Sequence, residues 1–199
     1  MHVVYFDTMI WVKAFFIAKK GKKVNNFPKI RNYDPNKIKI ELSPLALYEL
    51  LNKIVENEKI SNFCKKNPHL DIFRCSHDID KINISAIKKK TIGKEVQTLL
   101  INNVPSVYTS PDWPDIEKDI LAGLVEKSLA YDIQLIDLIH AFLSDIYKCN
   151  RFVTSDESLL RSLSRMKRAI GIPKSIISST KSFVKMEQSF YRYEAPQVN

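Results

Sequence analysis

Short apolar runs alternate along the chain with longer segments in which apolar residues recur at helical spacing. Residues 3–6 have the composition of a buried strand, and the segment TMIWVKAFFIA that follows them predicts a helix. The same order returns in KIELS and PLALYELLNKIVENEKI, where Pro44 stands in the first helical turn, a position that tolerates proline. Strands that alternate with helices predict an α/β sandwich around a mostly parallel central sheet.

The second half of the chain continues this alternation. Helical spacing predicts helices at 114–131 and in LIDLIHAFLSDIYK, followed by a strand in RFVTSD and a helix in ESLLRSLSRMK. KSIISSTKSFVKM predicts a last strand and a short helix. Residues 60–112 are less regular, and their clearest elements are a helix at 83–101 and a strand in PSVYTS. We expect one domain over residues 1–189, followed by a C-terminal tail at 190–199.

Basic residues are concentrated in one part of the chain. Residues 19–39 contain eight basic residues, one aspartate and two prolines, which predicts an exposed basic insertion. The chain of 199 residues has 31 Lys and Arg against 22 Asp and Glu, a net charge of +9. This excess favours an anionic partner, with nucleic acid as the first candidate and an acidic membrane surface as the second.

The cysteines and the apolar segments give expectations about the compartment. Cys64, Cys75 and Cys149 are scattered without a CxxC or Cys/His spacing, so neither a zinc site nor a disulfide framework is predicted. Asp7 and Lys13 interrupt the apolar start, unlike a signal peptide, and no apolar run approaches the roughly 18 residues of a membrane-spanning helix. We therefore expect a cytoplasmic protein with reduced thiols that does not enter a membrane.

Two predicted strands end in an aspartate, VVYFD at Asp7 and RFVTSD at Asp156. If both strands belong to one parallel sheet, both carboxylates lie at the edge where such sheets bind ligands. The alternative for each residue is a structural role, because aspartate often caps the helix that follows a strand.

Glu49 and Asp137 are two further carboxylates that lie among apolar neighbours, at or beside the buried face of their predicted helices. For Glu49 the alternative is an ordinary solvated helix position. Four carboxylates in one pocket would repel one another unless cations bind or pKa values rise. Oxygen ligands suit Mg²⁺ or Mn²⁺, and such an ion can activate water and stabilise the charge that develops on a phosphodiester.

Four segments, YFDTMIWV, SPLALYELL, DIQLIDLIHAFL and RFVTSDESLL, resemble in order and spacing the PIN-domain ribonucleases, including the VapC-like toxins. The resemblance implies a three-layer α/β/α sandwich and an Mg²⁺- or Mn²⁺-dependent endoribonuclease, acting as a toxin or in RNA processing. It maps the catalytic, metal-binding carboxylates onto Asp7, Glu49, Asp137 and Asp156. It also maps supporting positions, one turn after Asp137 and in the segment before Asp156, onto His140, Thr154 and Ser155.

The sequence also departs from this family, because Met9 stands where a small polar residue is common and Ser155 where asparagine is common. Met9 also occupies the place of the second aspartate of HAD-type phosphatases, which sets that class aside. His140 is expected behind the carboxylates, or as a satisfied buried histidine, more than as a metal ligand.

RNA is the expected partner, with an antitoxin-like protein and a second copy of the chain as further candidates. Phosphate contacts are expected from two basic clusters, whose alternative is a solvated face. Their residues are Lys19, Lys20, Lys22 and Lys23 in the insertion and Arg161 and Arg165 in a late helix. The alternative function is a PIN-fold RNA-binding or assembly module with a weak or inactive pocket.

Overall fold

The computed structural model describes residues 2–19, 38–71, 75–103, 107–109, 117–169 and 176–179. In these ranges five strands and seven helices follow one another along the chain. The strands are β1 (His2–Phe6), β2 (Ile38–Leu42), β3 (Val107–Thr109), β4 (Arg151–Thr154) and β5 (Ile176–Ser179). The helices are α1 (Thr8–Lys19), α2 (Pro44–Lys66), α3 (Ser76–Asp80), α4 (Ala86–Asn103), α5 (Lys118–Tyr131), α6 (Leu135–Ile146) and α7 (Glu157–Ala169).

The five strands form one sheet in the order β3-β2-β1-β4-β5, and every neighbouring pair is parallel. The predicted α/β class and parallel sheet are therefore confirmed. The chain builds the sheet outward from β1 in two directions, first through β2 and β3 and then through β4 and β5. The strand order reverses between β1 and β4, and the crevice beyond the carboxyl ends of strands at such a point is where α/β sheets bind ligands.

Successive side chains of the strands pack into two separate core clusters, because residues alternate between the two faces of a sheet. Phe6 of β1 packs with Trp11 of α1 and Leu50 of α2 in the first cluster. Tyr5, its neighbour in sequence, packs in the second cluster with residues of α6 and α7, among them Leu143. Burial on both sides of β1 explains why the sequence of this strand reads as a continuous apolar run.

Several elements differ from their predicted bounds. Helix α2 extends to Lys66, well past the predicted end. Helix α5 begins four residues later than predicted, because Glu117 has a ψ of 144°, outside the helical region. Leu124 of α5 is buried, whereas Leu129 is 79% exposed. The apolar residues at helical spacing in α5 are therefore not all buried.

Three sequence predictions concern residues outside the described ranges: most of the basic insertion, the short helix after residue 180 and the C-terminal tail. Among the described residues, no helix combines the length and the apolar character needed to cross a membrane.

Candidate active site

All four predicted carboxylates lie around the carboxyl ends of β1 and β4. Asp7 directly follows β1, Asp156 lies two residues beyond β4, and Asp137 is in the first turn of α6. Glu49 lies on α2, the helix that follows the neighbouring strand β2. The charges of Asp7, Asp156 and Glu49 each raise the pKa of Asp137, so the structure brings the set within electrostatic reach of one another.

Asp7 is a buried carboxylate with 5% of its surface exposed. Its backbone N–H donates to the Val153 carbonyl at 2.9 Å, which holds the end of β1 against β4. Burial raises the pKa of Asp7, and Glu49 adds to the rise, while the Thr154 hydroxyl, His140 and the backbone N–H of Thr8 lower it. The net pKa is above the ordinary value, so the ionised form of Asp7 is disfavoured in the protein alone.

Asp137 is the carboxylate whose pKa is raised by the charges of all three others. Its pKa is raised to about 6, first by burial and then by the charge of Asp7, with smaller contributions from Asp156 and Glu49. His140, one turn along the same helix, partly opposes the rise. A cation between these carboxylates would remove the repulsion that disfavours their ionised forms.

The surroundings of Glu49 lower its pKa, whereas those of Asp7 and Asp137 raise theirs. Its Oε2 accepts a hydrogen bond from Thr8 Oγ1 at 2.7 Å and lies 2.5 Å from Nε2 of the buried His140. Burial alone would raise the pKa of Glu49, but these two hydrogen bonds and the nearby His140 together hold it below its usual value. Glu49 is therefore ionised at neutral pH.

The contacts of Asp156 confirm the helix-capping role that is the alternative for this residue. Its Oδ1 accepts the backbone N–H groups of Ser158 and Leu159 at 2.7 and 3.0 Å, so it caps α7. Thr154 Oγ1 accepts the Asp156 backbone N–H at 3.0 Å and donates to Asp7 Oδ2 at 2.6 Å. Thr154 thus connects the ends of β4 and β1, and its supporting role in a metal site stays a prediction.

Sequence reasoning missed four polar residues of the site. Thr8 contacts Glu49 and His140, at 2.7 and 3.3 Å, and the Tyr5 hydroxyl contacts both Ser43 and His140. Lys13, exposed on α1, donates from Nζ to Ser155 Oγ at 2.8 Å, which places a basic group beside the acidic set. In the sequence Tyr5 and Ser43 read as residues of two predicted strands, and only long-range contacts reveal their role.

The predicted RNA-binding residues that the structure describes lie on two different helices. Arg161 and Arg165 are exposed on α7, the helix that Asp156 caps. Lys19 ends α1 and pairs with Glu95 of α4 at 3.1 Å. The remaining three predicted contacts, Lys20, Lys22 and Lys23, lie outside the described residues.

The donor chemistry fits a hard cation held by few protein ligands. Within the described ranges, no group of three or more His, Cys, Asp or Glu side chains could hold a metal ion as arranged. Mg²⁺ commonly takes only one or two carboxylates and keeps several waters. Asp7 and Asp137, whose raised pKa values reflect burial and mutual repulsion, fit that mode of binding. A site in which all four carboxylates bind the ion directly stays a prediction.

Comparison with known proteins adds a structural likeness. No family model and no curated protein matches the chain. The crystal structure of PAE2754 from Pyrobaculum aerophilum is similar with a TM-score of 0.45 and 11% sequence identity, covering 95% of this chain and 98% of that chain. The function is therefore inferred from the residues of the site itself.

Proposed function

We propose that this protein is a metal-dependent endoribonuclease of the PIN-domain type. The observation that carries the proposal is the meeting of four carboxylates at the point where the order of a parallel sheet reverses. The net charge of +9 supports an anionic substrate, since a positively charged surface attracts nucleic acid. The two core clusters that contain Phe6 and Tyr5 support helix layers on both faces of the sheet, as in a three-layer α/β/α sandwich.

Each carboxylate has a distinct task in this proposal. Asp7 and Asp137 would hold the ion, because the charge of Asp7 is, after burial, the largest cause of the raised pKa of Asp137 and a cation would offset it. Glu49, kept ionised by Thr8 and His140, accepts a hydrogen bond from the attacking water and orients it. When bound, Mg²⁺ or Mn²⁺ supplies a Lewis acid that activates water and offsets the charge developing on the phosphodiester. Thr154 holds Asp7 in place through its hydroxyl.

Cleavage of single-stranded or looped RNA is expected in Mn²⁺ or Mg²⁺, with complete loss in EDTA and recovery when Mn²⁺ is restored in excess. The reason is the oxygen-only donor set, which favours hard cations over zinc. The measurement is the rate of cutting of end-labelled RNA oligonucleotides across a metal titration. Undiminished cleavage in EDTA would contradict the metal mechanism, and a strict requirement for Zn²⁺ would count against it.

The second candidate function is a PIN-fold RNA-binding or assembly module with a weak or inactive pocket. The cap that Asp156 forms at α7 favours it, because one oxygen of that carboxylate is already engaged. The same metal titration separates the two functions. A silent module would bind RNA equally well in EDTA and would cut none at any metal concentration.

Basic residues should control the salt dependence of RNA binding. Lys13→Ala is expected to reduce the slope of log Kd against log salt by about 0.7, the value for one phosphate contact on a single strand. Replacing four insertion lysines together should reduce it further; these are Lys19, Lys20, Lys22 and Lys23. Fluorescence anisotropy in EDTA measures the slope without cleavage.

Lys53→Ala is the matched control for these variants. Lys53 is an exposed lysine of α2 that pairs with Glu56 at 3.0 Å, so its removal changes the same charge elsewhere on the molecule. Its slope should equal that of the unmodified protein. Equal slopes for Lys13→Ala and Lys53→Ala would show that Lys13 makes no phosphate contact.

A further inference from the structure

A line of buried hydroxyl and imidazole groups runs from the start of α2 to Glu49. Ser43 Oγ lies 2.6 Å from the Tyr5 hydroxyl, which lies 2.7 Å from His140 Nδ1. His140 Nε2 lies 2.5 Å from Glu49 Oε2. Ser43, Tyr5 and His140 are each no more than 1% exposed, so water cannot replace these partners.

When His140 carries a single ring proton, the donor and acceptor chemistry of these groups fixes the direction of every hydrogen bond. An ionised carboxylate only accepts, so His140 must donate its Nε2–H to Glu49. In neutral imidazole, Nδ1 is then an acceptor, and Tyr5 must donate its single proton to it. Ser43 must in turn donate to the Tyr5 oxygen, while its own oxygen accepts the backbone N–H of Ala46 at 3.1 Å.

We propose that Ser43, Tyr5 and His140 form a one-way hydrogen-bond relay that holds His140 in its Nε2–H tautomer and thereby fixes the orientation of Glu49. This inference rests on the proposed nuclease function for the task of Glu49, but its hydrogen-bond pattern does not. Tyr5 and Ser43 are positioning residues, since they reach the site only through His140.

The relay also assigns different tasks to the two oxygens of Glu49. Within the described part of the chain, the hydrogen bonds to Glu49 come from His140 and Thr8, and both end on Oε2. Oε1 would therefore be the oxygen that serves a bound ion or its water. The line begins and ends on α2, because Ser43 caps this helix and Glu49 lies on it, so the relay ties α2 to β1 and α6.

The tautomer of His140 tests the relay without metal or RNA. Long-range ¹H–¹⁵N spectra in EDTA are expected to show His140 protonated at Nε2 and bare at Nδ1. The chain has four histidines, and the signal lost in His140→Gln identifies the right one. Tyr5→Phe removes the hydrogen bond that Nδ1 accepts and should shift the ¹⁵N resonance of Nδ1, while the proton stays on Nε2 because Glu49 still accepts it. A His140 that carries a proton on Nδ1, alone or together with one on Nε2, would overturn the relay, as would an Nδ1 resonance that Tyr5→Phe leaves unchanged.

Two substitutions of His140 separate positioning from packing. A glutamine amide reaches about as far as Nε2 and can still donate to Glu49, whereas an asparagine amide reaches about as far as Nδ1 and cannot. We expect His140→Asn to lower Mn²⁺ affinity and kcat by about 10-fold to 100-fold, the usual range for groups that orient metal-site carboxylates, and His140→Gln to retain more of both. Isothermal titration calorimetry measures the affinity. Equal losses in the two variants would assign His140 a packing role only.

Tyr5→Phe should follow the same pattern, with a loss of about 10-fold in Mn²⁺ affinity and kcat and little change in KM. Tyr131→Phe, a tyrosine that packs against the same core cluster as Tyr5, is the matched control and should change none of these values. Failure of the relay and failure of the function are distinguishable. An Nε2–H tautomer in a protein that neither binds Mn²⁺ nor cuts RNA overturns the function alone, whereas the wrong tautomer in an active nuclease overturns the relay alone.

Discussion

Asp7→Asn is expected to abolish RNA cleavage while raising the melting temperature of the protein in EDTA. Asparagine keeps the shape of the side chain and can still accept the hydrogen bond from Thr154 Oγ1. It removes one negative charge from a site where burial and Glu49 already hold the pKa of Asp7 above its ordinary value. The variant therefore loses an unfavourable interaction together with a ligand for the ion.

The size of this effect follows from Coulomb's law. Like charges a few ångströms apart repel by a few kcal/mol at an effective dielectric near 20, and protonation and water relieve much of that. A remaining gain of about 1–2 kcal/mol corresponds to a rise of about 2–8 °C in a domain of this size. Cleavage should fall by at least 100-fold, since charge stabilisation in the transition state depends on the ion.

Thermal melts in EDTA and in millimolar Mn²⁺ measure the prediction. The difference in melting temperature between the two proteins should shrink or change sign in Mn²⁺, because only the unmodified site gains metal-linked stability. Asp145→Asn, an equal change of charge on the exposed part of α6, is the control and should keep full cleavage. If Asp7 only capped α1, the shift in melting temperature would be the same with and without Mn²⁺, and cleavage would persist.

The placement of the carboxylates could be predicted because it depends on local patterns. Strand-helix alternation predicts parallel strands, and parallel strands bring Asp7 and Asp156 to one edge of the sheet. Helical spacing of three residues predicts that Asp137 and His140 share a face of α6. Neither inference needs to know which residues meet across the fold.

The partners of these groups could not be predicted, since they are set by contacts between distant segments. Tyr5 and His140 are 135 positions apart, and nothing in an apolar strand indicates that its tyrosine hydroxyl is engaged. Glu41 stands in the middle of the KIELS strand and is 2% exposed, where it pairs with Lys39 at 3.6 Å. Periodicity gives the face of an element, whereas the hydrogen bonds on that face depend on the elements that pack against it.

Asp137 should make the stability of the protein depend on pH in the range from about 4 to 7. Its folded pKa of about 6 lies above the ordinary value of 3.8, so the folded protein binds this proton more tightly than the unfolded chain does. The resulting stabilisation is complete below pH 3.8 and is lost as the pH rises through 6. Asp7, whose pKa is also raised, contributes with the same sign.

Asp137→Asn isolates this contribution, because an amide does not titrate. In EDTA the variant and the unmodified protein should melt at similar temperatures near pH 4, and the variant should melt higher at pH 7.5. The full shift in pKa would correspond to about 3 kcal/mol in the free energy of unfolding. Because Asp137 is only partly buried, solvent screening reduces this to about 1–2 kcal/mol. The expected difference in melting temperature at pH 7.5 is therefore about 2–8 °C.

Metal and protons should compete for the same carboxylate, which links stability to catalysis. Because a bound cation favours the ionised form of Asp137, the acid limb of the pH-rate profile should move to lower pH as the Mn²⁺ concentration rises. The difference in melting temperature between the two proteins at pH 7.5 should shrink over the same concentrations. Asp145→Asn, which carries the same change of charge but keeps Asp137, should behave like the unmodified protein in both measurements. An acid limb that stays fixed across the Mn²⁺ titration would mean that Asp137 does not bind the ion, and that its proton has no part in cleavage.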